Sequence, residues 1–140
     1  MAFEYRSGTR IPILVPLDNS SAAIVVGDAI TISGANDGYF KEVDGLGEAI
    51  FGIAMQDQSS PSADGDLYVQ VDVSTESIYE VPPDSGSVTA ALAGNTMDCG
   101  ANARTVDING SSTDDILCVK ADVTNNKLYV RLLLNSYTGV

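Results

Sequence analysis

The feature that most constrains the fold is the alternation of apolar and polar residues in short stretches. Between Leu67 and Val73 an apolar side chain occupies every second position, and the stretches Gly27–Ser33 and Ile50–Gln58 show the same period. With a period of two residues, successive side chains point to opposite sides of a strand, and one of these two sides is buried. Residues 88–93 have the one plausible helical turn, and it is too short to be stable alone. The pattern therefore predicts an all-β protein.

About ten short, mostly antiparallel strands are predicted, in a single small β-barrel or sandwich. The predicted strands cover residues 22–26, 29–33, 39–43, 49–56, 67–73, 78–81, 105–108, 116–123 and 127–134. The last two form a hairpin around Thr124-Asn125-Asn126, because Asn tolerates the positive φ of a tight turn. On the hairpin, the odd-numbered residues 117–123 are predicted to form one apolar face and the even-numbered residues 128–134 the other. Residues 94–100 are predicted to be rich in turns, with no strand assigned there.

Residues 1–17 are predicted to be an extended N-terminal arm, followed by a single β-rich domain over residues 18–140. Pro12 and Pro16 have no backbone N–H group, which excludes a central strand. Apolar side chains along the arm argue against a frayed terminus, because a free tail gains nothing by exposing them. We therefore expect the arm to follow a sheet edge or to lie across a partner.

The formal net charge of −12, from 19 acidic and seven basic residues, disfavours phosphate backbones and anionic membranes as partners. The first ten residues differ, because they contain Arg6 and Arg10 but only Glu4 as an acid. No apolar run is long enough to span a bilayer, and the N-terminus lacks a signal-peptide pattern, so we expect synthesis and use without export. Cys99 and Cys118 are expected to be free thiols, with a disulfide as the alternative outside the cell.

Sequence motifs for catalysis are weak. The chain has no histidine, which excludes Ser-His-Asp and Cys-His catalysis and His-ligated zinc. The carboxylate pairs Asp64/Asp66 and Asp114/Asp115 lie in predicted solvated turns, where a raised pKa is not expected. By period-two counting, Cys118 shares a strand face with Lys120, a weak signal for a reactive thiol. We predict no catalytic residue, no metal ligand and no cofactor.

The stretches Gly27–Ser33 and Ile50–Gln58 contain the residues of a resemblance to a known protein family. A Gly-Asp step that opens a strand, followed by Phe-Gly-Ile-Ala and then an Asp, resembles the bacteriophage head decoration proteins, also called capsid cement proteins. Here these pieces are Gly27-Asp28, Phe51-Gly52-Ile53-Ala54 and Asp57. The family pattern continues with an alternating strand, a segment ending in proline and a late small-residue stretch with a Gly-Asn turn, and it ends on a strand. In this chain they match residues 67–73, 79–82, 90–95 and 128–134.

The resemblance implies a non-enzymatic virion protein that trimerises and binds the outer surface of an assembled capsid. Its partners would be the major capsid protein and two further copies of itself, after synthesis in the host cytoplasm. An apolar arm with two arginines fits a clamp on a neighbouring subunit, because an edge segment can add to a partner's sheet. The arm residues predicted to bind the capsid are Phe3, Tyr5, Arg6, Arg10, Ile11 and Ile13.

Two other functions remain open from the sequence. The first is a phage tail or fibre β-module that attaches to a host receptor. The second is a calcium-dependent surface-adhesion β-module, because Asp64-Gly65-Asp66 has a partial likeness to a calcium loop. That loop lacks the remaining ligand spacing and the closing Glu of an EF-hand.

Overall fold

A computed structural model describes residues 2–33 and 38–134 of the chain. These residues form eleven β-strands and a 3₁₀ turn at Ala90–Leu92. The strands are β1 (Glu4–Ser7), β2 (Pro12–Pro16), β3 (Ala29–Ile32), β4 (Phe40–Glu42), β5 (Gly52–Ala54), β6 (Tyr68–Asp72), β7 (Ile78–Val81), β8 (Thr96–Cys99), β9 (Val106–Asp107), β10 (Ile116–Asp122) and β11 (Lys127–Leu132). The prediction of an all-β protein with short strands is confirmed.

The strands form two antiparallel sheets arranged as a small sandwich. The six-stranded sheet has the order β1-β7-β11-β10-β8-β9, and the five-stranded sheet has the order β2-β6-β5-β3-β4. The five-stranded sheet curls until its two edge strands meet at one bridge, between Leu17 and Phe40. A single bridge does not close a barrel, so the sandwich alternative describes the protein.

The two sheets share a main core, and the five-stranded sheet has a second, smaller core on its other face. Ala29 and Ile53 lie directly opposite each other and face the main core, while their neighbours Ile30 and Ala54 face the smaller one. Val69 and Val71 of β6 are fully buried in the smaller core. The apolar face that alternation predicted for residues 67–73 is therefore confirmed.

Two predictions about local structure are wrong. Residues 22–26 make only an isolated bridge at Ile24, because the side chains of Asp28 and Asp57 accept the N–H groups of Val25 and Val26 in place of a neighbouring strand. Residues 94–100, predicted to be rich in turns, contain the strand β8. Polar β8 residues concealed this strand, including Asp98, which is 1% exposed.

The hairpin of β10 and β11 is confirmed, but one of its predicted faces is wrong. Asn126 has a φ of 54°, as the tight turn requires. A β-bulge between Cys118 and Lys120 shifts the register, so that Ile116 and Cys118 point into the core and Val119 points outward. Cys118 and Lys120 therefore do not share an environment. The alternating face on β11, with Leu128, Val130 and Leu132, is buried as predicted.

The N-terminal segment is extended and forms an edge of each sheet. β1 pairs with β7 at the edge of the six-stranded sheet, and β2 pairs with β6 at the edge of the five-stranded sheet. Gly8, with a φ of 98°, lies in the connection between them. Phe3 is 1% exposed and belongs to the main core. Residues 3–17 therefore link the two sheets and contribute to the packing of both.

Buried aspartates hold many of the loops. Asp98 accepts hydrogen bonds from the backbone N–H groups of Ser112, Thr113 and Asp114. Burial opposes its ionisation, but these bonds outweigh burial and hold the pKa of Asp98 below its ordinary value. Asp115 is fully buried and accepts the N–H group of Ile50, so the prediction of a solvated turn is wrong for this residue.

Candidate interaction surface

The edge of β2 exposes large apolar side chains. Ile11 is 50% exposed, Ile13 41% and Leu14 60%, and Tyr68, opposite Pro16 on β6, is 47% exposed. Ile13 and Leu14 are neighbours on an extended strand, so they point to opposite sides of the sheet edge. These four exposed side chains, Ile11, Ile13, Leu14 and Tyr68, form what we call the β2 edge surface.

The backbone of β2 offers a partner few donors. Val73 donates to the Ile11 carbonyl and Leu17 donates to the Leu67 carbonyl, so the odd-numbered residues 11–17 face β6. The backbone groups of Pro12, Leu14 and Pro16 therefore point outward. Since proline has no N–H group, Leu14 supplies the single outward N–H between residues 12 and 16. Prolines at such positions protect an exposed strand edge from pairing with other strands.

The charges near β2 are at its ends. Residues 11–17 contain no ionisable side chain. Arg10 precedes them, and Asp18 follows them with an exposure of 7%. Asp18 accepts hydrogen bonds from Ser20 and Ser33, which hold its pKa below the ordinary value. The β2 edge surface is therefore uncharged, on a chain with a net charge of −12.

Arg10 and Tyr5 form a stacked pair beside this surface. The Arg10 guanidinium carbon lies 3.6 Å from the centroid of the Tyr5 ring. The Tyr5 ring also contacts the Tyr79 ring edge-on at 5.9 Å, and its hydroxyl donates to the carbonyl of Gly8. The Arg10 Nε is buried and has no hydrogen-bond partner. The structure thus brings Tyr5, Arg10, Ile11 and Ile13 to one end of β2.

Arg6 lies apart from this pair and has partners within the protein. Its Nη2 lies 2.6 Å from Glu80 Oε1 and 3.1 Å from Glu4 Oε2. The hydrogen bond to Arg6 lowers the pKa of Glu80, and the same bond raises the pKa of Arg6. Lys127 also approaches Glu80, at 3.5 Å. Arg6 therefore connects β1 to β7 across the outer side of the six-stranded sheet.

Phe3 is the one predicted site residue that lies in the core. Its ring meets the Tyr79 ring at 6.4 Å in an edge-to-face arrangement, and its backbone N–H donates to the carbonyl of Gly27. A side chain that is 1% exposed is not available to a partner while this fold is intact. Leu14 and Tyr68 were not among the predicted site residues. The pairing of β2 with β6 reveals them, and nothing local to either stretch encodes that pairing.

An open pocket of about 440 Å³ lies between residues 42–44 and 101–105, none of which belongs to β2. Arg104 in its lining is bound to the buried Asp28, with Nε 2.7 Å from Oδ1. Burial raises the pKa of Glu42, another lining residue. The Arg104–Asp28 pair joins the loop after β8 to the start of β3, so this arginine has a structural role.

Other residues that the sequence singled out have structural partners. Asp64 accepts the N–H group of Asn19, and Asp66 accepts that of Ser62. Cys99 and Cys118 are free and buried, and burial raises the pKa of both thiols. Within the described part of the chain, no group of three or more potential metal-ligating side chains lies together.

Comparison with known proteins gives no neighbour: no family model matches the chain, and no curated protein or solved structure matches it significantly. Among residues 2–33 and 38–134, no helix has the length and apolar character needed to cross a membrane.

Proposed function

We propose that this protein is a non-enzymatic structural component of a bacteriophage virion. It binds the outer surface of the assembled capsid, as a trimer, and stabilises the lattice of major capsid subunits. The observation that carries the proposal is the β2 edge surface, an uncharged apolar strip exposed on an acidic protein. The sequence resemblance to head decoration proteins supplies the identity of the partner.

The β2 edge surface has the properties of a contact surface. Several large apolar side chains exposed along one strand edge, here on both sides of that edge, are a feature of protein interfaces. Because prolines remove two of the three outward backbone donors, the contact is made mainly by side chains rather than by strand addition. Ile11, Ile13 and Leu14 provide apolar area, and Tyr68 adds an aromatic side chain of the kind enriched in binding hot spots.

A trimer suits this role because three modest contacts act together on one lattice. Linked contacts reach a higher overall affinity than any one of them when the geometry lets all bind at once. The function requires a rigid fold, contact area and solubility. The loops held by buried aspartates and the net charge of −12 are consistent with these needs.

The test is binding of the purified protein to expanded, undecorated heads, measured by co-sedimentation and by electron microscopy. We expect saturable binding to heads and none to host cells. Binding to cells but not to heads would instead support a host-attachment module.

A matched pair of variants tests the surface itself. Leu14 is 60% exposed and Leu46, in a loop before β5, is 61% exposed. Leu14→Glu should reduce head occupancy because it places a charge within the apolar contact, whereas Leu46→Glu should bind as the wild type does. Equal binding by the two variants would show that the β2 edge surface is not the contact.

A further inference from the structure

Basic side chains are concentrated on the outer side of the six-stranded sheet. Its strands β1, β7, β11 and β10 carry four of the seven basic residues of the chain but only three of the 19 acidic residues. On β11 the even-numbered residues 128–132 are buried, so the odd-numbered ones point away from the core. We call the outward side of these four strands the basic face, and its cations are Arg6, Lys120, Lys127 and Arg131.

Two of these cations are balanced within the basic face. Arg6 Nη2 lies 2.6 Å from Glu80 Oε1 and 3.1 Å from Glu4 Oε2. Lys127 Nζ lies 3.5 Å from Glu80 Oε1. Because two cations meet two carboxylates, this group is neutral overall.

The other two cations, Lys120 and Arg131, are not balanced in this way. Lys120 is exposed and lies 5.4 Å from the centroid of the Tyr129 ring, and Arg131 donates to the backbone carbonyl of Thr75. Within the described part of the chain, neither of them forms an ion pair with a carboxylate. Val119, which is 43% exposed beside Lys120, adds apolar area. The basic face therefore offers a partner two unpaired cations and an apolar side chain.

A surface of the opposite charge lies elsewhere on the same chain. Residues 42–103 contain 11 acidic residues and no lysine or arginine. Within this stretch, the loop between β5 and β6 exposes Asp57, Asp64 and Asp66. Each of them accepts a backbone N–H group, and none is ion-paired among the described residues. We call residues 57–66 the acidic loop.

We infer that the basic face binds the acidic loop of a second copy of this chain. Each copy then uses one surface for each of its two neighbours, and a head-to-tail contact of this kind can close into a ring. The number of copies, three, rests on the proposed function, and the inference adds the contact between them. The basic face and β2 belong to different sheets, so this contact and the capsid contact use different residues.

The charge of −12 on each copy is compatible with this contact. The Debye length is about 8 Å at physiological ionic strength, so acids distant from the contact are screened while charges that touch are not. Local charge also selects the arrangement. Two basic faces would repel each other, as would two acidic loops, so the pairing of unlike surfaces is favoured over a symmetric pair.

Sedimentation equilibrium of the purified full chain, without heads, tests the inference. We expect the wild type to form trimers. Lys120→Glu places an acid against the acidic loop, so its trimers should dissociate at a concentration about tenfold or more above that of the wild type. Lys120→Gln removes the charge without reversing it and should shift the concentration less. Circular dichroism should show an unchanged fold, because Lys120 is exposed.

Lys41→Gln is the matched control for Lys120→Gln. Lys41 lies on β4 in the five-stranded sheet, where it pairs with Asp44 at 3.2 Å. Both variants change the net charge by the same amount, and Lys41→Gln should assemble as the wild type does. Equal weakening by the two variants would show that net charge, not the basic face, controls assembly, and it would overturn the inference.

Reversal of both surfaces identifies the acidic loop as the partner of the basic face. Asp66→Lys alone should weaken the trimer, because it places a cation against the basic face. The double variant with Lys120→Glu and Asp66→Lys has the net charge of the wild type and again pairs unlike charges, so it should assemble better than either single variant. A double variant whose loss equals the sum of the two single losses would overturn the inference.

The outcomes separate this inference from the proposed function. A wild-type chain that stays monomeric, or a Lys120→Glu variant that assembles as the wild type does, overturns the inference, and binding to heads still tests the capsid role. If the variants behave as expected but the wild-type trimer does not bind heads, the proposed function fails and the contact between copies stands.

Discussion

The two edge strands of the N-terminal segment are built in opposite ways. β1 is connected to β7 by the ion pair between Arg6 and Glu80, and it follows Phe3, which is buried in the core. β2 exposes Ile13 and Leu14 and carries no charge. Within one continuous segment, the half with β1 therefore has its groups paired or buried within the fold, whereas the half with β2 leaves apolar side chains exposed.

The two arginines of this segment show the same difference. Arg6 lies within 3.1 Å of two carboxylates of its own chain. Arg10, four residues later, stacks on Tyr5 and leaves its Nε without a partner. From the sequence the two are equivalent members of a basic arm. The structure shows that Arg6 is paired with carboxylates of the fold, whereas the contact of the Arg10 guanidinium is the Tyr5 ring.

The largest effect is expected from a matched pair on the five-stranded sheet. Val71 and Ile13 lie opposite each other on neighbouring strands, yet Val71 is fully buried and Ile13 is 41% exposed. Val71→Asp should unfold the domain. The free-energy cost of an unpaired buried charge exceeds the free energy of unfolding of a typical domain, which is roughly 5 to 15 kcal/mol. Ile13→Asp should remain folded. Circular dichroism and urea unfolding distinguish them, and a folded Val71→Asp would mean that the smaller core is assigned to the wrong face.

Phe3→Ala should cause the next largest loss. Truncation of a buried Phe lowers the free energy of unfolding by about 3 to 5 kcal/mol. Ile11→Ala, at a residue that is 50% exposed, is the control and should change it by less than about 0.5 kcal/mol. Urea unfolding midpoints measure both.

Deletion of residues 1–10 should destabilise the fold further, because β1 and the Arg6–Glu80 pair are lost with Phe3. A truncated protein with wild-type stability would show that β1 is a dispensable arm.

A smaller effect is expected at Glu80, which is 7% exposed and joins β1 to the six-stranded sheet through Arg6. Glu80→Gln removes the charge while keeping the shape, so the melting temperature should fall modestly. Glu76→Gln, at an exposed carboxylate nearby, should leave it unchanged. Equal melting temperatures for the two variants would show that the Arg6–Glu80 pair adds nothing to stability.

The smallest effect in the physiological range is expected from pH. The folded pKa values of Asp18, Glu80 and Asp98 lie below their ordinary values of 3.8, 4.5 and 3.8. Their contribution is therefore present above those ordinary values and is lost as the pH falls through the lower folded ones. Glu42, with a raised pKa, has the opposite sign. The urea midpoint should be nearly constant from about pH 6 to 8 and decrease below about pH 4.5. A steep change near neutrality would contradict this assignment.

The sequence by itself determined the type of structure, because the period of alternation is a local property of the chain. It located the strand of residues 67–73, the hairpin turn with Asn126 at positive φ, and the edge position of the strand bounded by Pro12 and Pro16. Each of these depends on the conformations open to a few neighbouring residues.

Tertiary structure decided which residues the protein buries and which it displays. Phe3 is buried because its ring meets Tyr79, and Leu14 is displayed because β2 has a neighbour on one side only. The bulge in β10 reverses the predicted burial of Cys118 and Val119. These outcomes depend on pairings between residues far apart in the chain, and local patterns do not encode them. For the same reason Arg6 and Arg10 differ: Glu80, which pairs with Arg6, lies 74 positions away in the sequence, whereas the Nε of Arg10 has no hydrogen-bond partner among the described residues.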